Sequence, residues 1–161
     1  MNRFVIACCM LMVGLLTSCE APVESYQVSQ KFEHKAWYYA DSLKLRIPVQ
    51  DTTRSYQLKL RLQTDDSYPY RNLYVKFKLQ PPQGKATESQ LDFVLADAAG
   101  KWNVEKGMGG LYTFNEVLMK NLRLPQTGEY TLGIKQYMRV DTLPGVRSIQ
   151  LDVVPNTEET P

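Results

Sequence analysis

The chain has 161 residues, 43% hydrophobic and 22% charged, with 19 Lys plus Arg set against 17 Asp plus Glu. That composition fits one globular domain, and a net charge of +2 leaves no basic stripe of the kind nucleic-acid binding needs. One histidine, His34, and three cysteines, Cys8, Cys9 and Cys19, argue against a zinc or other metal site, a Cys–His nucleophile pair and a disulfide framework.

Met1-Asn2-Arg3 is a short basic start to an unbroken apolar run over residues 4–16. A run of that length suits the core of a signal peptide and falls short of the roughly 20 residues that span a bilayer. Leu16-Thr17-Ser18-Cys19 closes it with an aliphatic residue, two small residues and a cysteine, the lipobox pattern of bacterial lipoproteins. The small residues open the Ser18–Cys19 bond to a signal peptidase, and the Cys19 thiolate accepts a diacylglycerol. Residues 1–18 are therefore expected to leave as a signal peptide, taking Cys8 and Cys9 with them, and residues 19–25 to form a lipidated tether. Each buried methylene adds about 0.8 kcal/mol of attachment, so two or more acyl chains hold a protein at a bilayer without spanning it. The expected location is the cell envelope, with the outer membrane favoured over the inner and the domain in the periplasm.

Period-two alternation dominates the rest. A strand is plausible over residues 26–32. Leu43, Leu45 and Ile47 alternate with Lys44 and Arg46, and Tyr56, Leu58, Leu60 and Leu62 with Gln57, Lys59 and Arg61. Leu73, Val75, Phe77 and Leu79 alternate with Tyr74, Lys76 and Lys78, and Leu91, Phe93 and Leu95 repeat the pattern weakly. Residues 114–121 have a competing short-helix reading, but a strand over 118–124 is preferred. Tyr130, Leu132 and Ile134, then Ile149, Leu151 and Val153, complete the series. Gly- and Pro-rich turns separate the runs, and Gly128-Glu129-Tyr130 after Pro125 fits a tyrosine corner. The reading is all-β: a single antiparallel β-sandwich of about seven to nine strands over residues 26–155, with a disordered tail at 156–161.

No catalytic constellation emerges, and no cofactor is implied. Asp65, Asp66, Asp92 and Asp97 offer a carboxylate pair for glycoside hydrolysis only if two converge across a cleft; otherwise they are turn-forming aspartates. Gly107-Met108-Gly109-Gly110 lacks the Lys-Ser or Lys-Thr of a phosphate cradle and reads as a loop needing positive φ. Serine chemistry lacks a Gly-x-Ser-x-Gly and any base but His34. The most informative stretch is Tyr68-Pro69-Tyr70-Arg71-Asn72, a loop feeding a strand, with Tyr68 and Tyr70 expected near its tip beside Arg71. Tyrosine and arginine are enriched at protein interfaces, so Tyr68, Tyr70, Arg71 and Asn72 are candidate interaction residues, against the alternative that one tyrosine packs the end of the sandwich. Arg139 joins them; with Asp141 two residues on, the two would share a strand face and could pair.

Taken in order, these features resemble the GldH family of gliding-motility lipoproteins from Bacteroidetes. The likeness runs from the lipobox at Cys19 through Trp37, Tyr56, Tyr68-Pro69-Tyr70 with Asn72-Leu73, Gly100-Lys101-Trp102, Leu111-Tyr112 and Gly128-x-Tyr130 to Gln136-x-Met138-Arg139. The resemblance implies a membrane-anchored, non-enzymatic component of the gliding and associated secretion apparatus, acting through contacts with other envelope proteins. An alternative is a ligand-binding module for envelope glycan using Tyr68, Tyr70 and Trp37 or Trp102, which requires exposed coplanar rings.

Overall fold

Alternating apolar and polar residues put one face of a strand in the core and the other in solvent, and a sheet so patterned is buried only against a second sheet. The computed structural model has this arrangement. It describes residues 25–156; residues 1–24, on which the expected signal peptide, Cys19 and most of the expected tether fall, and residues 157–161 lie outside the described residues. Ten strands form: β1 (Tyr26–Lys31), β2 (Ala36–Tyr38), β3 (Leu43–Val49), β4 (Ser55–Thr64), β5 (Asn72–Gln80), β6 (Thr87–Val94), β7 (Tyr112–Arg123), β8 (Gly128–Gln136), β9 (Thr142–Pro144) and β10 (Val146–Pro155). All pairings are antiparallel, in sheets ordered β1-β10-β4-β7 and β3-β8-β5-β6, with β2 and β9 forming a two-stranded ribbon.

The inward residues of both four-stranded sheets make one core. Leu58, Leu60 and Leu62 of β4 and Ile149, Leu151 and Val153 of β10 belong to the same buried cluster as Ile47 of β3, Leu73, Val75 and Phe77 of β5, and Leu132 and Ile134 of β8. The tyrosine corner forms: Tyr130 is buried, and its hydroxyl accepts the Gln126 amide at 2.9 Å, which fixes the chain entering β8.

Three elements differ from the sequence reading. β2 and β9 have three residues each, too few for alternation to register. β7 starts at Tyr112, well before residue 118, and runs for 12 residues without a helix. Its register against β4 shifts around Leu58, and such bulges turn side chains off the period-two pattern. Asn156 is no part of a loose tail. Its amide donates to the Ser55 carbonyl at 2.9 Å, and its side chain donates to Ser55 Oγ at 2.8 Å and the Lys120 carbonyl at 3.0 Å.

Strand register gives the sandwich two unlike ends. At one end lie Tyr26, where the chain from Cys19 enters, together with Val49, Ser55, Arg123, Gly128 and Pro155. There the Tyr26 hydroxyl donates to the Pro48 carbonyl at 3.0 Å and ties the sheets together. The opposite end gathers Lys31, Leu43, Thr64, Asn72, Tyr112, Gln136 and Val146, and the loops that join them.

Candidate interaction site at the end away from the tether

This end is built from the turn after β4. The Asp65 carboxylate accepts the Ser67 amide at 2.9 Å, and the Tyr68 amide donates to the Asp65 carbonyl at 3.1 Å, closing a tight turn. The turn rests on Gly145, whose carbonyl accepts the Asp65 amide at 2.9 Å. Gly145 has φ of 77°, and a Cβ there would lie 2.2 Å from the Tyr68 nitrogen, so only glycine fits. Burial pushes the Asp65 carboxyl up, but the Ser67 hydroxyl and amide and the Arg147 guanidinium, 3.1 Å away, more than offset this and hold it below the usual carboxylate range. Next to it, the Lys106 ammonium donates to Asp66 and holds that carboxyl down, while Asp66 in turn raises Lys106.

The turn directs Tyr68 inward, which corrects the expectation that it lies at the loop tip and agrees with the alternative that one tyrosine packs the end of the sandwich. It is 3% exposed, its hydroxyl donates to the Asn72 carbonyl at 2.8 Å, and burial pushes its pKa up. Its ring meets Trp102 at 6.2 Å between centroids, and Trp102 packs on Tyr112 at 5.1 Å and on Phe114 at 6.0 Å. Tyr70, half-buried, stands edge-on to Tyr68 at 6.0 Å. The Arg71 side chain is exposed while its carbonyl accepts the Leu95 and Ala96 amides at 2.7 and 3.0 Å, so a fixed backbone presents a guanidinium with no acid paired to it among the described residues. Asn72 donates to Asp92 Oδ1 at 3.1 Å.

Arg139 is not on a strand, and the expected shared face with Asp141 is absent; among the described residues no ion pair joins the two. β8 ends at Gln136, and Arg139 has φ of 33°, a left-handed conformation that disfavours side chains other than glycine. What holds it there is Gln136, 0% exposed, whose side-chain oxygen accepts the Met138 amide at 2.8 Å and whose side-chain nitrogen donates to the Val140 carbonyl at 2.8 Å. Met138 is buried and its sulfur accepts the Tyr74 amide at 3.0 Å, locking the loop to β5. A groove of about 960 Å³ results, lined by Tyr39, Tyr70, Asn72, Tyr74, Tyr137 and Arg139 among others. Arg71 lies beside it in a second hollow of about 460 Å³ that shares Tyr70 and Asn72. Four of the five candidates thus surround one surface, with Tyr68 beneath it as support. Gln136, Met138 and Gly145 were missed as organisers of the site. The sequence marked Gln136 and Met138 only as part of a family likeness, and Gly145 only as half of a Pro-Gly turn pair.

The remaining candidates are structural. Asp97 accepts the Ala99 and Lys101 amides, both at 2.9 Å, and shapes its own loop. Asp65, Asp66 and Asp92 are engaged with Arg147, Lys106 and Asn72. Gly109 and Gly110 have φ of 92° and 75°, as a turn needs. His34 is exposed, and Trp37 is a core residue stacked on Phe32 at 5.6 Å. Trp37 is buried and offers a sugar no face, and Trp102, half-buried, packs among Tyr68, Tyr112 and Phe114.

Comparison with known proteins gives a consistent answer. A "Gliding motility lipoprotein GldH homolog" from Christiangramia forsetii is 25% identical over 126 residues, covering 78% of this chain and 75% of the relative. "Gliding motility lipoprotein GldH" from Flavobacterium johnsoniae is 26% identical over 120 residues, covering 71% of each. Among solved structures, a chain of tomato aspermy virus aligns over 99% of this chain and 97% of its own length, but at 11% identity and a TM-score of 0.32 it carries no argument. The profile described as GldH lipoprotein matches residues 24–153, nearly the whole described domain, and the chain belongs to that family.

Proposed function

We propose that the protein is a membrane-anchored, non-enzymatic accessory of the gliding-motility and associated secretion machinery, and that it works by presenting the end away from its tether to another envelope protein. Cys19 carries the lipid, the outer membrane holds it, and the domain stands in the periplasm. The observation that carries this reading is the polarity of the sandwich. Seven chain steps lead from Cys19 to Tyr26, a reach of at most about 25 Å. Strands of nine or ten residues are roughly 30 Å long. A tether that short keeps Tyr70, Arg71, Asn72 and Arg139 off the bilayer that holds Cys19 and leaves them for a partner in the aqueous space. A half-buried tyrosine, an exposed guanidinium and a groove between rigid loops are the ingredients of an interface hot spot.

In-cell crosslinking of the anchored full chain, with captured proteins identified by mass spectrometry, tests the reading. Wild type should capture motility or secretion components, and the Tyr70→Ala, Arg71→Ala variant should lose them while remaining folded. Equal capture by both would move the interface elsewhere, and recovery of no envelope protein by wild type would sink the proposal.

A further inference from the structure

The outward face of β3-β8-β5-β6 carries a feature that interface residues at the sandwich end do not explain. Gly133 sits in the middle of β8, with Lys44 of β3 on one side and Lys78 of β5 on the other. Glycine inside a strand destabilises it relative to alanine and marks a bulge, a bend or a close approach by another group. None of the local reasons applies here. Its φ is ordinary, β8 pairs in unbroken register on both sides, and an added Cβ would meet only Ser42 Oγ at 3.7 Å and the Lys78 carbonyl at 3.8 Å. The strand tolerates a side chain at 133 and has none, so the sheet has a hollow there.

The hollow is basic. It opens to about 790 Å³ and is lined by Lys44, Lys76, Lys78 and Lys135, with Glu88 as the acid among its lining residues. Glu88 is committed to Lys78 at 3.5 Å. Lys76 and Lys135 lie directly opposite each other, a like-charge pairing that costs stability. Among the described residues no carboxylate pairs with Lys44, Lys76 or Lys135. Instead the Lys76 ammonium lies over the Tyr137 ring at 4.2 Å and the Lys135 ammonium over Tyr39 at 4.7 Å, contacts that orient a cation without cancelling its charge.

We propose that this hollow is a binding site for a multiply charged phosphate group, seated on Gly133 and held by Lys44, Lys76, Lys78 and Lys135. The missing side chain lets an anion approach the backbone, and strands about 4.8 Å apart place Lys44 and Lys78 roughly 10 Å from each other across it, within reach of one diphosphate. Lysine recognises phosphate as a mobile point charge, and charge-assisted hydrogen bonds to phosphate oxygens are the strong class. The phosphate can belong to a lipid headgroup or to a soluble compound.

The test uses the full chain purified from membranes in nanodiscs of zwitterionic phospholipid, with pyrophosphate as probe and lysine modification rates read residue by residue. Lys59, opposite Asp152 on the other sheet, is the internal reference. Pyrophosphate should slow modification of the four lysines by about tenfold relative to Lys59. Gly133→Val fills the hollow, keeps every charge and suits a strand, so it should abolish the protection with an unchanged melting temperature. Equal protection at Lys59, or protection that survives Gly133→Val, would mean a diffuse ion atmosphere and overturn the site. Should Gly133→Val fail to fold, Lys44→Gln serves: it should weaken protection of the other three, and no effect would overturn the proposal. In nanodiscs containing anionic phospholipid and no pyrophosphate, protection confined to these lysines assigns the phosphate to a headgroup. Its absence there, with pyrophosphate still protecting, assigns it to a soluble compound.

Discussion

The two ends of the sandwich are closed by different kinds of contact. At the end of Tyr26, long-range contacts join the strands, from Tyr26 to Pro48 and from Asn156 to Ser55 and Lys120, but the turns themselves lean on neighbours in sequence: the Asp51 carboxylate accepts the Thr53 amide at 2.9 Å and the Arg54 Nε at 3.0 Å, and Tyr130 holds Gln126. At the far end, the turn of Asp65 rests on Gly145 and Arg147, Asp66 reaches Lys106, and Tyr68 packs on Trp102. Arg139 and Gly145 there are in left-handed conformations, as is Lys35 with φ of 53°, and the buried Gln136 holds Arg139 in place. Local contacts close a loop and do little else. Long-range contacts and held strain give loops a single fixed shape, which is what a recognition surface needs and what makes it vulnerable.

Substitutions should break this contrast in graded fashion. The largest effect is expected of Gly145→Ala, whose Cβ would overlap the Tyr68 backbone in a left-handed conformation, at more than about 3 kcal/mol. Chemical denaturation measures it, and a loss below about 1 kcal/mol would mean that the Asp65 turn shifts freely and the far end is not rigidly held. Gln136→Leu keeps the volume and strands the Met138 amide and Val140 carbonyl, at roughly 1–3 kcal/mol for each group left unpaired. Amide exchange at Met138 and Arg139 should speed up beyond the change in global stability, a signature that simple loss of packing would not give.

Acid sharpens the comparison. The Asp51, Asp65 and Asp66 carboxyls are all held below their ordinary values, so their stabilisation is complete above the unfolded-state value near 3.8 and is lost as pH falls through the lower folded value. Melting temperature should therefore drop below about pH 4. Asp65→Asn should flatten that dependence more than Asp51→Asn, because Asp65 is less exposed and braces distant segments; equal flattening would erase the distinction between the ends. The smallest effect belongs to Thr53→Ala. It removes one exposed hydroxyl contact and leaves the amide contact, for about 0.5 kcal/mol or less, with amide exchange at the far end unchanged.

Most of the fold was legible because period-two alternation is a statement about solvent. Leu43 through Val49, Leu58 through Leu62 and Tyr130 through Ile134 each declare a buried and an exposed face whatever their partners. β2 and β9 were illegible because three residues hold no period, and β7 was read only in its second half because its bulges against β4 move side chains off the alternation. Of the site, the sequence singled out Tyr70, Arg71, Asn72 and Arg139 by residue type and by their place after strands or before turns. It misjudged Tyr68, since inward or outward orientation in a turn depends on what lies against it, and that is Gly145, 77 residues along the chain. Likewise a lysine reads as a solvated strand position until register sets Lys44 and Lys78 on either side of Gly133. Sequence alone determined most of the strands and the residue types available for contact, because those follow from local chemistry. Which of those residues meet, which are buried and which surface faces away from the tether were decided by tertiary structure, because pairing register and sheet packing join segments that have no local means of finding one another.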